Sequence, residues 1–401
     1  MSVPMVWNVL MIDDDMDILA KGKELLNNET IPNTTDKIKI ITSDFEKSLS
    51  EFEKERIDLV IVDLKKGPAQ QGEDPEKEEG EKTLQDIRKR KFLPVVFYTA
   101  WPHKVRHLEG PHVKVLGKPA TPPKIMEAIG AALESPLPVI NRALITHLEK
   151  IQAGFMWGVA DDIYRTYGNT VNPYEVAYLL AKRISFSLSD EGIKAFLKES
   201  GAPAIFYSRD SLVHPMQYYV IPPIKENSPQ VGDLFFGKID NTESYWCLLT
   251  PSCDMVPHKA GKPPKAEWVV FVRCLLLKEQ REFIAWYDEL QKTGEHNNNK
   301  YADLDPLLKN NRKNGQSDRF VFLPGVLDIP DLIMDFQQVK IGKLDLLDNA
   351  AFKKRASIEP PYSDSILSKF ARYFGRVGTP DLNCACVISK YEVEKKPETS
   401  E

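Results

Sequence analysis

The stretch VLMIDDD at residues 9–15 decides the fold, because an apolar run ends there in consecutive carboxylates. Three more apolar runs end in a polar or charged residue: LVIVD at 59–63, VVFYT at 95–99 and VKVLGK at 113–118. Short apolar runs separated by helical stretches are typical of buried parallel strands in an open α/β sheet. Ligands of such sheets bind at the carboxyl ends of the strands. The side chains expected to converge there are Asp13, Asp14, Asp63, Thr99 and Lys118.

These residue types suit phosphoryl transfer. Carboxylates on neighbouring strands make a hard-oxygen site of the kind that Mg²⁺ prefers, so Asp13, Asp14 and Asp63 are the predicted metal ligands. Asp63 is the predicted nucleophile, which would form an aspartyl-phosphate. Lys118 would neutralise charge on the transferring phosphoryl group, and the Thr99 hydroxyl would hydrogen-bond one of its oxygens.

Residues 1 to about 135 resemble a response-regulator receiver domain with the CheY-like fold. The matching segments are VLMIDDDMD, RIDLVIVDL, LPVVFYTA and LGKPA, which carry the acidic pair, the nucleophile, the hydroxyl residue and the lysine–proline pair. The resemblance implies a five-stranded, parallel, doubly wound α/β domain. It also implies that a histidine kinase donates a phosphoryl group to Asp63 in a Mg²⁺-dependent step. An inactive receiver-like fold is the alternative.

Four features depart from the family pattern. The segment KKGPAQQGEDPEKEEG at 65–80 is long and acidic, which predicts a solvated loop that either gates the pocket or is a tolerated insertion. Val115 stands where the family usually has an aromatic switch residue, and Trp101 stands where a side chain can cover the phosphoryl group. Pro102, Gly110 and Pro111, which lie between Thr99 and Lys118, predict a short or broken helix, so we do not expect the ordinary receiver dimer.

Composition and charge narrow the function classes. The 401 residues predict two or three domains, and the net charge of −5 without a strongly basic block argues against a DNA-binding output. No apolar run reaches the length of a transmembrane helix, and the amino terminus lacks the positive region of a signal peptide. Five scattered cysteines beside a receiver site predict reduced thiols and a cytoplasmic protein without membrane contact.

After the receiver, residues 139–200 show apolar residues at helical spacing and predict a helical connecting module. Asn172 and Pro173 predict a helix cap followed by a first-turn proline. No catalytic constellation stands out in this segment. An adaptor that docks a four-helix bundle of a kinase is the alternative interpretation.

The segment 201–392 predicts a β-rich α+β domain, because short runs of aromatic and β-branched residues alternate with turn residues. The sequence VGDLFFGKI followed by YWCLLTPSCDM indicates a small SH3-like barrel. Helices are expected at about 342–376, and 393–401 is expected to be a disordered tail. The strings TPSCD, RFVFLPG and GTPDL are similar to strings in uncharacterised output modules of bacterial signalling and defence loci, which would imply a role in antiviral defence.

The candidate zinc ligands are Cys253, His258, Cys274, Cys384 and Cys386. Their spacing lacks a standard paired knuckle. Cys247 and Cys274 lie in apolar runs, where free cysteine packs as a small hydrophobic residue. A nucleophilic Cys253 assisted by its neighbours Asp254 and His258 is a further alternative, although these residues are too close along one turn for a normal triad.

The sequence therefore predicts a two-component signalling protein whose receiver regulates a C-terminal output or docking region. A phosphate sink or phosphotransfer intermediate without its own output is the first alternative, and a receiver-gated enzyme or toxin-like effector is the second. The predicted cofactor is Mg²⁺. The predicted partners are a histidine kinase and, for a sink or phosphotransfer intermediate, a separate effector protein. No enzyme activity is expected beyond self-phosphorylation.

Overall fold

The computed structural model describes residues 4–45, 47–48, 55–64, 75–206, 212–223, 228–257, 262–295, 297–376 and 382–392. The chain divides into two compact units, residues 1–209 and 210–401. Each unit has its own sheet and its own hydrophobic core. The predicted division into domains 1–135, 139–200 and 201–392 stays a prediction.

The sheet of the first unit is five-stranded and parallel throughout. Its strands are β1 (Val6–Ile12), β2 (Lys37–Ser43), β3 (Leu59–Val62), β4 (Val95–Thr99) and β5 (Val113–Gly117). The order across the sheet is β2-β1-β3-β4-β5, which is the flavodoxin-like doubly wound order. The predicted receiver-like α/β sheet is therefore confirmed.

The strands of this sheet are buried on both faces. Alternate residues of a strand point to opposite faces, so Val9 and Met11 enter one core cluster while Leu10 and Ile12 enter another. Burial on both faces explains why the run before Asp13 is continuously apolar. The helices of this part are α1 (Met16–Leu26), α2 (Pro75–Arg90), α3 (Pro102–Val105) and α4 (Pro122–Leu133).

Two expectations for the helices of the first unit have clear outcomes. The helix between Thr99 and Lys118 is short, as predicted: α3 has one turn and continues as a 3₁₀ helix at Arg106–Leu108. The acidic segment 65–80 was expected to be a loop throughout, which is wrong for its last part, because α2 begins at Pro75. Proline is favoured in a first helical turn, and the acidic residues after it suit a helix amino terminus. Residues 65–74 lie outside the described residues.

The predicted helical connecting region is helical in the structure. It contains α5 (Leu137–Phe155), a π-helical turn (Met156–Ala160), α6 (Asp161–Tyr167), a 3₁₀ turn (Gly168–Thr170), α7 (Pro173–Ser187) and α8 (Asp190–Glu199). The Asn172 side chain accepts a hydrogen bond from the backbone N–H of Tyr174, and Pro173 occupies the first turn, as expected. Phe155 and Val176 join α5 to α7, and Ala143 and Phe196 join α5 to α8.

Helix α5 is attached to the amino-terminal edge of the parallel sheet. The Arg142 guanidinium donates to the backbone oxygen of Val6 at 2.6 Å, and it lies 3.4 Å from a carboxylate oxygen of Asp58. Arg56 donates to the backbone oxygen of Arg142 at 2.5 Å. Val6 begins β1 and Asp58 directly precedes β3, so these contacts lie at the opposite end of the strands from Asp13 and Asp63.

The second unit contains one seven-stranded sheet with antiparallel pairing and the order β10-β11-β9-β8-β7-β12-β6. Its strands are β6 (Tyr219–Val220), β7 (Asp233–Ile239), β8 (Thr242–Leu248), β9 (Trp268–Leu276), β10 (Phe320–Leu323), β11 (Leu332–Lys343) and β12 (Lys353–Ile358). Its α-helices are α9 (Ser252–Met255), α10 (Arg281–Thr293), α11 (Asn298–Leu308), α12 (Tyr362–Gly375) and α13 (Cys384–Glu392). Short 3₁₀ turns occupy Pro215–Tyr218, Leu277–Glu279 and Leu344–Asp348.

The β-rich prediction for this unit is correct in kind, but the SH3-like barrel is not confirmed. The long strand β11 pairs with both β10 and β9 and carries a register shift between Met334 and Val339, so it extends one sheet. Helix α12 fits the predicted helical region, whereas a helix from 342 to 358 is wrong. In that range β12 pairs with β7 and buries Ala356 and Ile358. The prediction failed because the alternation of apolar residues in a six-residue strand cannot be distinguished from helical spacing.

Three smaller expectations complete the comparison. The start of the segment predicted to be β-rich is not a strand, because Ala204–Phe206 is a 3₁₀ turn, and residues 207–208 lie outside the described residues. The tail 393–401 also lies outside them. In the part of the chain that the structure describes, no helix is long and apolar enough to cross a membrane.

Candidate functional site

The carboxyl ends of four parallel strands bring the predicted residues to one edge of the sheet. The backbone N–H of Asp63, just after β3, donates to the carbonyl oxygen of Ile12 at the end of β1 at 3.0 Å. The backbone N–H of Lys118, just after β5, donates to the carbonyl oxygen of Thr99 at the end of β4 at 2.8 Å. The strand ends are therefore level, and the side chains that follow them share one edge.

The Lys118 ammonium bridges two carboxylates at this edge. Its Nζ lies 2.6 Å from Oδ2 of Asp13 and 2.6 Å from Oδ2 of Asp63. The exposed side-chain fractions are 13% for Lys118, 2% for Asp13 and 11% for Asp63, so the cluster is largely buried but Asp63 keeps access to solvent. A buried carboxylate pair is unfavourable without a cation, and Lys118 supplies that cation.

Burial and the neighbouring charges shift the pKa values of Asp13 and Lys118 in opposite directions. Burial raises the pKa of Asp13 above its ordinary value, although hydrogen bonds from Lys118 and from the backbone N–H of Asp15 oppose that shift. Burial lowers the pKa of Lys118, but the hydrogen bonds and charges of Asp13 and Asp63 outweigh burial and raise it overall. Lys118 therefore stays protonated at neutral pH, and Asp13 is held at an energetic cost that a further cation would reduce.

The three carboxylates predicted to bind a metal lie together. Asp13, Asp14 and Asp63 each offer an oxygen within 4.8 Å of the others, and no other such group of His, Cys, Asp or Glu occurs among the residues that the structure describes. Asp14 is exposed and faces solvent, whereas Asp13 is buried. Hard carboxylate oxygens with an open side fit Mg²⁺, which binds through a few carboxylates and keeps several waters. The donor set is therefore compatible with Mg²⁺.

Thr99 and Trp101 form the rim beside Lys118. Thr99 is fully buried at the end of β4, and its Oγ1 accepts a hydrogen bond from the backbone N–H of Trp101 at 3.2 Å. Trp101 is half-buried, and the Lys104 ammonium lies 5.8 Å from the centre of its ring. Trp101 thus follows the end of β4, and its backbone is fixed to the Thr99 side chain.

Tyr98 is a member of this region that the sequence reasoning missed. Its hydroxyl oxygen accepts a hydrogen bond from the backbone N–H of Ala120 at 3.2 Å, and the Lys118 ammonium lies 5.4 Å from the centre of its ring. Tyr98 therefore supports the turn that carries Lys118. The signal available in the sequence was a tyrosine directly before Thr99 in an otherwise apolar run.

Val115 is a further position that departs from the receiver pattern. Val115 lies half-buried in β5 and packs against a core cluster that includes Val105 and Phe97. A branched aliphatic side chain at this position has no polar tip to turn toward the site. Lys65, the residue two positions after Asp63, lies outside the described residues.

The cysteine candidates do not form a metal site in the described part of the chain. Cys247 and Cys274 are buried in β8 and β9, and burial raises the pKa of both thiols. Cys253, Cys384 and Cys386 are exposed. No group of three ligands that includes a described cysteine is present, and His258 lies outside the described residues. The buried thiols are protonated at neutral pH and pack as small apolar groups.

Solved structures of response regulators are similar to part of the chain. A LuxR family DNA-binding response regulator from Silicibacter pomeroyi shares 17% identity over 32% of this chain and 92% of its own, with a TM-score of 0.24. Full-length FixJ from B. japonicum shares 16% identity over 49% and 97%, with a TM-score of 0.23. RcsB from Salmonella enterica serovar Typhimurium, bound to promoter rprA, shares 18% identity over 49% and 93%, also with a TM-score of 0.23.

No protein-family model matches the chain, and no curated protein matches it. The receiver-like character of the first unit accordingly comes from the strand order and from the side chains at the strand ends.

Proposed function

We propose that the first unit is a working receiver that accepts a phosphoryl group on Asp63 from a phosphohistidine donor. The observation that carries the proposal is the Lys118 ammonium, which lies 2.6 Å from both Asp13 and Asp63 at the carboxyl edge of the sheet. A buried lysine shared by two carboxylates supports a site that handles negative charge at this point. Asp63 is the carboxylate of the pair that also reaches solvent.

The transfer step follows from the positions of the side chains. A carboxylate oxygen of Asp63 attacks the phosphorus, a P–O bond forms, and the P–N bond to the donor imidazole breaks. The imidazole takes a proton as it leaves. Lys118 faces the charge that develops on the phosphoryl oxygens, and its contact with Asp63 passes to those oxygens. The Thr99 hydroxyl at the end of β4 would hydrogen-bond the group after transfer.

A divalent cation belongs to this proposal. Asp13, Asp14 and Asp63 would hold it, and when bound it supplies charge neutralisation for the phosphoryl oxygens. The raised pKa of the buried Asp13 supports this assignment, because a cation relieves the cost of ionising that carboxyl.

The receiver is proposed to regulate the rest of the chain, with a histidine kinase as the donor partner. Helix α5 supports this part of the proposal, because Arg142 ties it to Val6 and Asp58 in the same unit as the site. A separate effector and a role in antiviral defence are proposals from sequence resemblance. DNA is not proposed as a ligand, because the chain carries a net charge of −5 without a basic block.

The function is tested by labelling the full chain with a small phosphodonor. With acetyl phosphate and Mg²⁺, intact-mass measurement should show one added phosphoryl group, and chelation of Mg²⁺ should abolish it. Asp63→Asn should not be labelled, whereas Asp58→Asn serves as a control because Asp58 lies at the opposite end of β3. Equal labelling of Asp63→Asn and the wild type would overturn the proposal.

The alternatives are separated by what phosphorylation changes outside the receiver. A sink or relay predicts no altered hydrogen exchange in residues 210–401, and a regulated output predicts altered exchange there. A receiver-gated enzyme additionally predicts an activity that depends on Asp63.

A further inference from the structure

Helix α7 exposes far more of its surface than a helix of a folded module ordinarily does. Among the fifteen residues of Pro173–Ser187, Val176 is the buried one, and Leu180 and Ile184 are half-buried on the same side. A helix of this length is marginal in water unless a stripe of it is covered. The contact with α5 covers the Val176 side and leaves the other side open.

The open side is apolar and aromatic. The exposed fractions are 69% for Tyr174, 48% for Tyr178, 46% for Leu179 and 78% for Phe186. Single exposed apolar residues are common, but four on one fifteen-residue helix form a patch. A contiguous patch of this kind is typical of a surface that binds another protein.

The spacing on this side follows a coiled-coil repeat. Glu175, Leu179, Lys182 and Phe186 are separated by four, three and four residues, which keeps them in one line along an α-helix. Tyr178 lies beside this line, and the Lys182 ammonium lies 5.6 Å from the centre of its ring. The line does not include Val176, so it is a second face, distinct from the one that α5 covers. We call these residues, with Tyr174, the α7 face.

We propose that the α7 face pairs antiparallel with the α7 face of a second copy of this chain, around a two-fold axis between Tyr178 and Leu179. Two-fold dimers bury the same patch on both subunits, so the patch must complement itself. In this register residue numbers facing each other sum to 357. Glu175 then faces Lys182 of the partner subunit, and Tyr178 faces Leu179 of the partner subunit.

The charge pattern of α7 selects a second copy over other occupants. An acid before the centre and a base after it are self-complementary only when two such helices run antiparallel. Binding of a helix from a different protein would not require α7 to carry charges that complement α7 itself.

The area of the α7 face fits a dimer. Aromatic side chains present roughly 150–250 Å² each, so the four apolar residues at their measured exposures contribute on the order of 450 Å². The stems of Glu175 and Lys182 lie between them and add to this area. A standard interface takes about 800 Å² from each partner, so this helix supplies more than half of one.

The first test measures self-association of the full chain by sedimentation, with and without acetyl phosphate and Mg²⁺. The wild type should form a dimer in at least one of these states. Leu179→Glu should weaken association about a hundredfold, because Leu179 lies beside the two-fold axis and the charge enters the interface twice. Phe374→Glu is the matched control, since Phe374 is 58% exposed on α12 and lies outside the α7 face, and it should associate like the wild type.

The second test reverses charges. Glu175→Lys alone and Lys182→Glu alone should each weaken the dimer, and the double reversal should restore it. Within one helix these residues are seven positions apart and do not contact each other, so restoration requires a second copy. Circular dichroism of each variant shows whether it is folded.

A wild-type monomer under both conditions, or a dimer that survives Leu179→Glu, overturns the proposal. Failure of the double reversal to restore a dimer lost in both single variants overturns the antiparallel register. Binding of a kinase helical bundle by a monomeric wild type, lost in Leu179→Glu, would overturn the dimer in favour of that occupant. The α7 face shares no residue with the Asp63 site, and dimerisation is read by sedimentation whereas labelling of Asp63 is read by intact mass, so failure of this proposal is distinguishable from failure of the proposed function.

Discussion

The ammonium of Lys118 lies 2.6 Å from a carboxylate oxygen of Asp63, across the ends of β5 and β3. The predicted acceptor is therefore held by the residue predicted to stabilise the transferred group. Phosphorylation would change the partner of Lys118 from a carboxylate to a phosphoryl group. The backbone N–H of Lys118 also donates a hydrogen bond to the carbonyl oxygen of Thr99. A change of partner at the Lys118 side chain would therefore also affect the end of β4.

Lys118→Ala should therefore respond less to phosphorylation. The variant should still fold when Mg²⁺ is present, because the ion can replace the lost ammonium beside Asp13 and Asp63, but it loses the group that senses the new charge. Hydrogen exchange of peptides covering residues 99–118 should change on adding beryllofluoride and Mg²⁺ in the wild type, and clearly less in Lys118→Ala. Lys114→Ala, a substitution within β5, is the control. A full wild-type response in Lys118→Ala would remove Lys118 from the mechanism.

Magnesium affinity should depend on Asp14. Removing one of three clustered carboxylates leaves too few hard-oxygen ligands, so Asp14→Ala should weaken Mg²⁺ binding about tenfold or more. Asp15→Ala is a sharp control. The Asp15 side chain caps α1 by accepting from the backbone N–H groups of Asp17 and Ile18, so this variant should lose about 1 kcal/mol of stability while keeping its Mg²⁺ affinity. Equal affinity in wild type and Asp14→Ala would contradict the metal assignment.

The phosphorylated form should be long-lived because Trp101 shields the phosphorus from water. Its backbone N–H donates a hydrogen bond to the Thr99 hydroxyl, which fixes the Trp101 backbone next to the site residue Thr99. Trp101→Ala should lose the phosphoryl group faster than wild type, whereas Trp268→Ala, at an exposed position of the other sheet, should not. Shortening the acidic segment within 65–74 should matter less, since its charge is screened at physiological salt. Equal decay in all forms would leave the shielding idea without support.

Acid should weaken the second unit through Asp335. Burial alone would raise the pKa of this carboxyl, but two hydrogen bonds from Arg319, at 2.8 and 2.9 Å, and the other hydrogen bonds and charge around it lower the pKa below the ordinary value of 3.8. A lowered folded-state pKa adds stability above the unfolded value, and that stability is lost as the pH falls through the folded value. Asp335→Asn should cost about 1.5–3 kcal/mol at pH 7.

The pH series distinguishes this effect from a simple packing defect. The stability difference between wild type and Asp335→Asn, measured by hydrogen exchange in β10 and β11, should shrink as the pH falls below 3.8. A packing defect would give the same difference at every pH.

The parts of the fold that the sequence predicted share one physical property. The apolar runs before Asp13 and Asp63 are buried on both faces, so each reads as an uninterrupted strand. Pro102 and Pro173 lack a backbone donor and therefore mark helix starts reliably. The convergence at the site followed from these strand ends, because parallel strands place their carboxyl ends at one edge.

The parts that were mispredicted depend on partners far away in the chain. The strand β12 is short, and its identity comes from pairing with β7, where Lys354 lies 2.8 Å from the buried carboxylate of Asp233. The sequence around residue 354 does not indicate that contact. The single seven-stranded sheet likewise depends on β11 joining β9 and β10 over long separations. At the site, the role of Tyr98 under Lys118 was invisible for the same reason.

The central claim, that Asp63 accepts a phosphoryl group, is tested most directly by mapping the modified residue. After reaction with acetyl phosphate and Mg²⁺, borohydride reduction converts an aspartyl-phosphate to homoserine, which peptide mass spectrometry locates. The account predicts homoserine at position 63, at about one per chain, and none in Asp63→Asn. Homoserine at Asp13 or Asp14, or none at any position while the protein is folded and Mg²⁺ is bound, would contradict it.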